Sequence, residues 1–470
     1  MKQPQKIKPA EIPCVIADRF KDAGEITCYV SSNAATPTTC IEALSQALAE
    51  RRPALPYMNM VHILLQGPVP YVREGMQDRV MCYSIFSAGD VREAANRGRA
   101  YYLPCSLANI DSLIGEGRRF QPDLVITKVS QNPYTGEYSL GLSVEAMHTA
   151  IANAKMIIAE LDPSMPFTEG QSVVDAGAID FLVEEGVKPV YEIPGPDFSR
   201  LSPAERRIGQ LIAEHFIVDG ATLQVGIGKI PDAVVGTIRE GNFKDLGINT
   251  ELYGDGLMLL QQAGIVTNRR KKTNQGYSTT SLIMGSRKLY DYVHMRTAVQ
   301  MRPCSYTNSA AVVQANAPFI SINTAIGVDF FGNVWADFIS RDRYYGGVGG
   351  QPDFIRALVD KRHGAAIIAM KSLTDKGESK IVRDSPPGVS LTASAYDSVV
   401  IVTEWGIADL RELTVSEKAL AVASIAHPLH REKLIQYIMD NPMFIKPKGF
   451  ASHKIPKGVT VYHGPIGLEE

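Results

Sequence analysis

Short apolar runs recur along this chain at 61–65, 124–129, 156–159, 365–370 and 399–402. Runs of that length suit strands buried on both faces of a sheet. Between them, apolar positions return at helical spacing, as in 43–51 and 143–154. Strand and helix patterns in alternation predict an α/β protein with largely parallel sheets.

The pattern breaks near residue 200. Residues 193–203 hold Pro194, Gly195, Pro196 and Pro203 and then enter a helix. Ser202 is placed to cap it, Pro203 suits its first position, and Glu205 completes a capping box. Ile208, Leu211, Ile212 and Phe216 continue at helical spacing. We therefore divide the chain into 1–200 and 201–470. The halves echo each other. In the first, an apolar run at 26–30 is followed by small residues, Pro37 and a helical pattern. In the second, 222–225 is followed by two glycines, Pro231 and a helical pattern. The echo fits two open α/β domains of similar topology facing across a cleft, although two strand–turn–helix units also resemble each other by chance.

Composition narrows the class. The 470 residues are 45% hydrophobic and 21% charged, which is ordinary for a globular protein and excludes wholesale disorder. The formal charge of -2 argues against a nucleic-acid or membrane-surface binder that depends on bulk positive charge. No run of 18 apolar residues predicts a membrane span, and residues 1–13 lack the apolar core of a signal peptide. The six cysteines form no C-x-x-C pair, so neither a disulfide framework nor a zinc site is expected. They read as buried single thiols of a reduced, cytoplasmic protein.

Three stretches carry candidate chemistry. In QVGIGKIPDA (224–233), two glycines follow a strand, and a helix predicted from Pro231 points its free N–H groups at the turn. Pro231 stands where a dinucleotide fingerprint needs its third glycine, and the P-loop pattern is absent as well. In GINTELYGDG (247–256), Glu251 precedes a glycine pair. It reads either as a solvated acidic loop or as a carboxylate that serves as base, metal ligand or covalent nucleophile. No neighbouring cluster has metal-ligand spacing. In YYGGVGGQPDF (344–354), four glycines in five positions are costly to order, and such a loop exposes N–H groups to a ligand. A helix predicted over 354–359 adds its dipole. The basic run 269–272 reads as a solvated turn or as a contact for a phosphate. His427 reads as a cap or packing residue, and Asp255 as a residue that positions the Glu251 loop or caps a turn.

Seven stretches of the second half, in order, resemble the acetyl-CoA hydrolase/transferase family of class I CoA-transferases, which includes 4-hydroxybutyrate, butyrate and acetate CoA-transferases. They are VGIGKIPDAV (225–234), NTELYGDG (249–256), MGSRKLYD (284–291), SINTAIGVD (321–329), YGGVGGQPDF (345–354), VTEWGIADLR (402–411) and IAHP (425–428). In the first half, AATP (34–37) and GEYSLG (136–141) resemble the family's N-terminal domain.

The resemblance implies an enzyme that moves CoA between an acyl-CoA and a short-chain carboxylate, with Glu251 as covalent nucleophile. Gly226, Ile227, Gly228, Lys229 and Ile230 resemble its CoA-binding loop. Ile326, Gly349 and Gly350 are similar to CoA or oxyanion contacts, and Lys371 resembles a lysine that meets CoA phosphates. The tripeptide 252–254 and Pro352 depart from the family's common residues and bear on the acyl pocket. No metal or cofactor beyond the CoA substrate is implied, nor a nucleic-acid or membrane partner. A homodimer or larger homo-oligomer is expected. A hydrolase using the same glutamate is the nearest alternative, and a non-catalytic CoA-binding module is a more distant one.

Overall fold

The two apolar patterns become two large, mainly parallel sheets in the computed structural model, which describes residues 3–446 and 454–461. In the first sheet Glu25–Val30 is central. Tyr57–His62, Val80–Ser84 and Tyr101–Tyr102 follow outward on one side, and Leu124–Gln131, Met156–Leu161 and Phe181–Val183 on the other. The second sheet repeats this order. Thr222–Val225 is central, with Gly247–Tyr253, Ser278–Ile283 and Val299–Met301 on one side and Phe319–Asn323, Gly364–Ala369 and Val400–Thr403 on the other. In each half the chain winds outward one way and then returns to wind the other. That reversal opens a crevice at the carboxyl ends of the central strands, where ligands of open α/β sheets bind. The echo in the sequence is therefore a repeat of topology.

The sheets do not keep strictly to their own halves. The strand Glu169–Gly170 leaves the first half and pairs in parallel with Val299–Met301 at the edge of the second sheet. A second seam joins residues 142–145 to the strand Ser278–Ile283. Val144 N donates to Ser281 O at 3.0 Å, and Ile283 N donates to Leu142 O at 2.9 Å. This seam shortens a predicted helix. The pattern over 143–154 yields only Met147–Asn153, because its first residues are engaged with the other half and Glu145 has a φ of 34°. A single apolar cluster runs through both halves, from Tyr29, Val125 and Leu142 to Leu223, Ile283 and Ile322.

The junction near 200 folds as its residues dictate. The helix Pro203–Phe216 opens with Ser202 Oγ accepting from Glu205 N and Glu205 Oε2 accepting from Ser202 N. Among the described residues, no helix is long and apolar enough to cross a membrane. All six cysteines are free thiols. Cys28, Cys40, Cys82 and Cys304 are buried, Cys105 is half-buried and Cys14 is exposed.

Candidate active site

Glu251 lies where two neighbouring strands part. Thr222 is level with Gly247 and Leu223 with Ile248, and no further pairs form. Four residues on, Glu251 is level with Gly226, which lies just past the end of the central strand and no longer pairs on this side. The gap this leaves is at the carboxyl end of the central strand. On its other side the Glu251 strand stays paired with Ser278–Ile283, and Glu251 O accepts from Thr280 Oγ1 at 3.1 Å. The backbone under the carboxylate is thus held on one side and open on the other.

Two groups hold the carboxylate. Asn308 Nδ2 donates to Glu251 Oε2 at 2.7 Å and to Asp353 Oδ2 at 3.2 Å. The orientation of this amide is fixed because Asn308 Oδ1 accepts from Thr307 Oγ1 at 3.0 Å. The second group is the glycine loop. Gly349 has a φ of 59°, a left-handed conformation that disfavours side chains, and a Cβ there would lie 3.3 Å from Glu251 Oε1. A Cβ on Gly350 would overlap both Glu251 Oε2 and Asn308 Nδ2. Glycine at 350 is required by this close approach of backbone to carboxylate.

Burial pushes the Glu251 carboxyl up to about 7; Asn308 opposes the shift, the Asp353 carboxylate adds to it, and the Gly350 N–H opposes it. Asp353 is also raised by burial, and its Oδ2 accepts from Ala108 N of the first half at 3.0 Å. Cys304, the nearby thiol, is fully buried and raised well above its usual range, which leaves it a poor nucleophile.

The carboxylate opens onto a cavity of about 330 Å³. Its lining includes Gly226, Ile227 and Pro231 from the first turn, Asn323 and Thr324 from the adjacent strand end, the loop 345–350, and Phe86 and Arg92 from the first half. Beneath it, Asn323 Nδ2 and Ser321 Oγ both donate to Gln224 Oε1. Gln351 is buried on the wall, and its Nε2 has no acceptor among the described residues.

The structure gathers some of the candidate residues and separates others. Glu251, Gly226, Ile227, Gly349 and Gly350 share the cavity. Gly228, Lys229 and Ile230 are in the same turn but do not line it. The helix there is Lys229–Glu240, capped by Gly228, so it starts two residues before Pro231. Ile326 stands apart, and its N–H already donates to Trp335 O at 2.9 Å. Lys371 follows the strand Gly364–Ala369, two strands from the central one. Its Nζ is 3.2 Å from Asp375 Oδ1, outside the cavity wall.

Two expectations about flanking elements are corrected. The helix after the glycine loop is Gln351–Ala357 rather than 354–359, and its first turn carries Asp353. The basic run is not a solvated turn throughout. Lys271 is 2% exposed, and its Nζ donates to Ile248 O, Tyr277 O and Thr279 Oγ1. Burial lowers that amine to about 7. The run lies beside Gly220 and Pro318, at the amino ends of the strands and away from Glu251.

His427 caps the helix Pro428–Asp440 and meets the Trp405 ring edge-on. Asp255 Oδ2 accepts from Ser286 N at 2.9 Å, which ties the end of the Glu251 strand to the neighbouring turn. Sequence reasoning missed Asn308, Asp353, Phe86 and Arg92. Asp353 lay inside a stretch already singled out, 344–354. Asn308, Phe86 and Arg92 had no local pattern to mark them.

Two family models match the chain. The acetyl-CoA hydrolase/transferase N-terminal domain matches residues 16–194 and the C-terminal domain matches 285–438, leaving Glu251 between them. A 4-hydroxybutyrate coenzyme A transferase of Clostridium kluyveri is 37% identical over 83% of this chain and 90% of its own length. A succinyl-CoA:acetate/propanoyl-CoA:succinate CoA transferase of Fasciola hepatica is 34% identical over 90% of this chain and 86% of its own. The crystal structure of RipA from Yersinia pestis superposes with a TM-score of 0.82 at 27% identity, covering 93% of this chain and 97% of that one.

Proposed function

Because this chain belongs to the acetyl-CoA hydrolase/transferase family, we propose that it is a CoA-transferase in which Glu251 carries first the acyl group and then CoA. The observation that carries this reading is the contact of Glu251 with Gly349 and Gly350 at the wall of the cavity. A nucleophilic carboxylate needs a fixed direction, an open approach and donors for the oxyanion it creates. Asn308 fixes the direction, the parted strands open the approach, and Gly349 and Gly350, which carry no side chains, present backbone to the reacting carbon.

The chemistry then runs in balanced steps. A Glu251 oxygen attacks the acyl-CoA carbonyl, the C–S bond breaks, and CoA leaves as thiolate, giving a mixed anhydride. The thiolate attacks the glutamyl carbonyl and expels the donor carboxylate, giving a Glu251–CoA thioester. An acceptor carboxylate attacks that thioester, and the same steps run in reverse. Binding energy from the remote parts of CoA is available to the reacting centre. Ping-pong kinetics follow from the covalent intermediate.

The test is transfer from acetyl-CoA to a panel of short carboxylates by wild-type protein and by Glu251→Ala. The expected result is ping-pong turnover that the substitution abolishes. Thiol release at the full rate without any acceptor would instead identify a hydrolase. Normal transfer by Glu251→Ala would remove the glutamate from the mechanism.

A further inference from the structure

The cavity wall carries two charged side chains among the described residues, Glu251 and Arg92. The transfer chemistry uses only the first. Arg92 comes from the helix Gly89–Asn96 of the first half. Its guanidinium stacks on the Tyr345 ring, 4.7 Å from the centroid, and Nη2 makes one long bond of 3.4 Å to Ser87 O. Its Nε is buried and has no acceptor among the described residues. No carboxylate of the described residues pairs with it, Glu251 included.

Position makes this unpaired cation informative. The helix that carries it is fastened to the glycine loop, because Asn96 Nδ2 donates to Tyr344 O and Tyr344 N donates to Asn96 Oδ1, both at 2.9 Å. Arg92 therefore sits at the Tyr345 end of the loop, while Glu251 sits at the Gly349–Gly350 end. Four residues of chain separate the two ends, at most roughly 14 Å when extended. Phe86, Leu252, Ile322 and Val348 supply apolar wall to the same cavity. A nucleophilic carboxyl at one end, an apolar wall and an unpaired guanidinium at the other describe a molecule with two anionic groups joined by a short hydrocarbon chain.

On the transferase reading above, we infer that Arg92 holds the distal carboxylate of a short dicarboxylic acid while its proximal carboxylate exchanges at Glu251. A guanidinium matches a carboxylate with parallel N–H donors, which a hydroxyl or methyl terminus does not satisfy. The acceptor attacks a neutral Glu251–CoA thioester, so among the described residues Arg92 is then the only charge in the wall. A second carboxylate buried there without it would be unpaired.

The experiment compares kcat/KM for malonate, succinate, glutarate and adipate with butyrate and 4-hydroxybutyrate, all with acetyl-CoA as donor. Wild-type protein is expected to prefer one dicarboxylate length. In Arg92→Gln, the ratio of kcat/KM for that diacid to that for butyrate should fall by about ten- to a hundredfold, the range of a charge-assisted hydrogen bond. Arg92→Lys should restore part of the ratio. Calorimetric binding of the same diacid to Glu251→Gln, whose neutral amide stands in for the thioester, should be detectable and lost in the double variant with Arg92→Gln. A wild-type protein that refuses every diacid, or a ratio unmoved by Arg92→Gln, would overturn the inference with the transferase reading intact. An equal rise in KM for acetyl-CoA and butyrate, with the ratio constant, would assign Arg92 to CoA and also overturn it. Diacid binding that depends on Arg92, without transfer to any acid, would support the site and contradict the transferase reading alone.

Discussion

On the mechanism proposed above, Glu251 gains reactivity from a site that disfavours its charge. With its carboxyl raised from the usual 4.5 to about 7, the nucleophilic carboxylate form grows as pH rises through neutrality, so transfer should rise across that window. Asn308 donates to the charged form, and its removal should both slow transfer and move the acid limb to higher pH. The loss of a hydrogen bond to a charged group predicts about a ten- to hundredfold cost for Asn308→Ala. A pH–rate profile checks this, and an unmoved limb with undiminished rate would contradict it. Stability carries the opposite sign. Between pH 4.5 and 7 the folded chain holds a proton on Glu251 that the unfolded chain has lost, so stability falls as pH rises through that window. Glu251→Gln removes the penalty. Its melting temperature relative to wild type should be higher at pH 8 than at pH 5, by the equivalent of at most roughly 3 kcal/mol. Equal differences at both pH values would show that burial does not strain this carboxyl.

Elements decide which of these residues meet. The glycine loop is shaped by contact, and Gly350→Ala should abolish transfer while shifting the melting temperature by only a few degrees, since the added methyl strikes Glu251 and Asn308 rather than the core. Activity close to wild type would make the loop a surface turn. The capping box of Pro203–Phe216 gives the converse case. Ser202→Ala should cost about 1 kcal/mol in denaturant unfolding and leave transfer unchanged. Both features were legible in the sequence because their signals are local. A cap, a proline and a glutamate three residues on specify a helix start, and four glycines in five positions specify exposed backbone. Strand interiors such as Leu124–Gln131 and Val400–Thr403 were legible for the same reason, because each opens on three consecutive apolar residues, 124–126 and 400–402. Asn308 was not. It follows the four-residue helix Cys304–Thr307, and its meaning arises only when Glu251 and Asp353, 57 and 45 residues away, converge on its amide. Lys271 was misread in the same way, because a lysine among basic neighbours gives no sign that three acceptors await it under a strand.

At the scale of the molecule, two repeats of one winding order make the site. Each reverses at its central strand, and the second repeat's crevice receives Phe86 and Arg92 from the first. The sequence disclosed the repeat as two strand–turn–proline–helix units. It could not disclose the strand Glu169–Gly170 crossing to the second sheet, because two residues carry no periodicity. That crossing, the seam at 142–145 and the shared apolar cluster bind the halves around the cavity. This arrangement supports a chemistry in which the acyl group and then CoA rest on one side chain between two half-reactions. The most direct measurement is mass spectrometry of the protein after brief incubation with acetyl-CoA, followed by digestion. A CoA adduct should appear on the peptide containing Glu251, discharge when a carboxylate acceptor is added, and be absent from Glu251→Ala. An adduct on a cysteine peptide, or full transfer with no adduct on Glu251, would contradict the account.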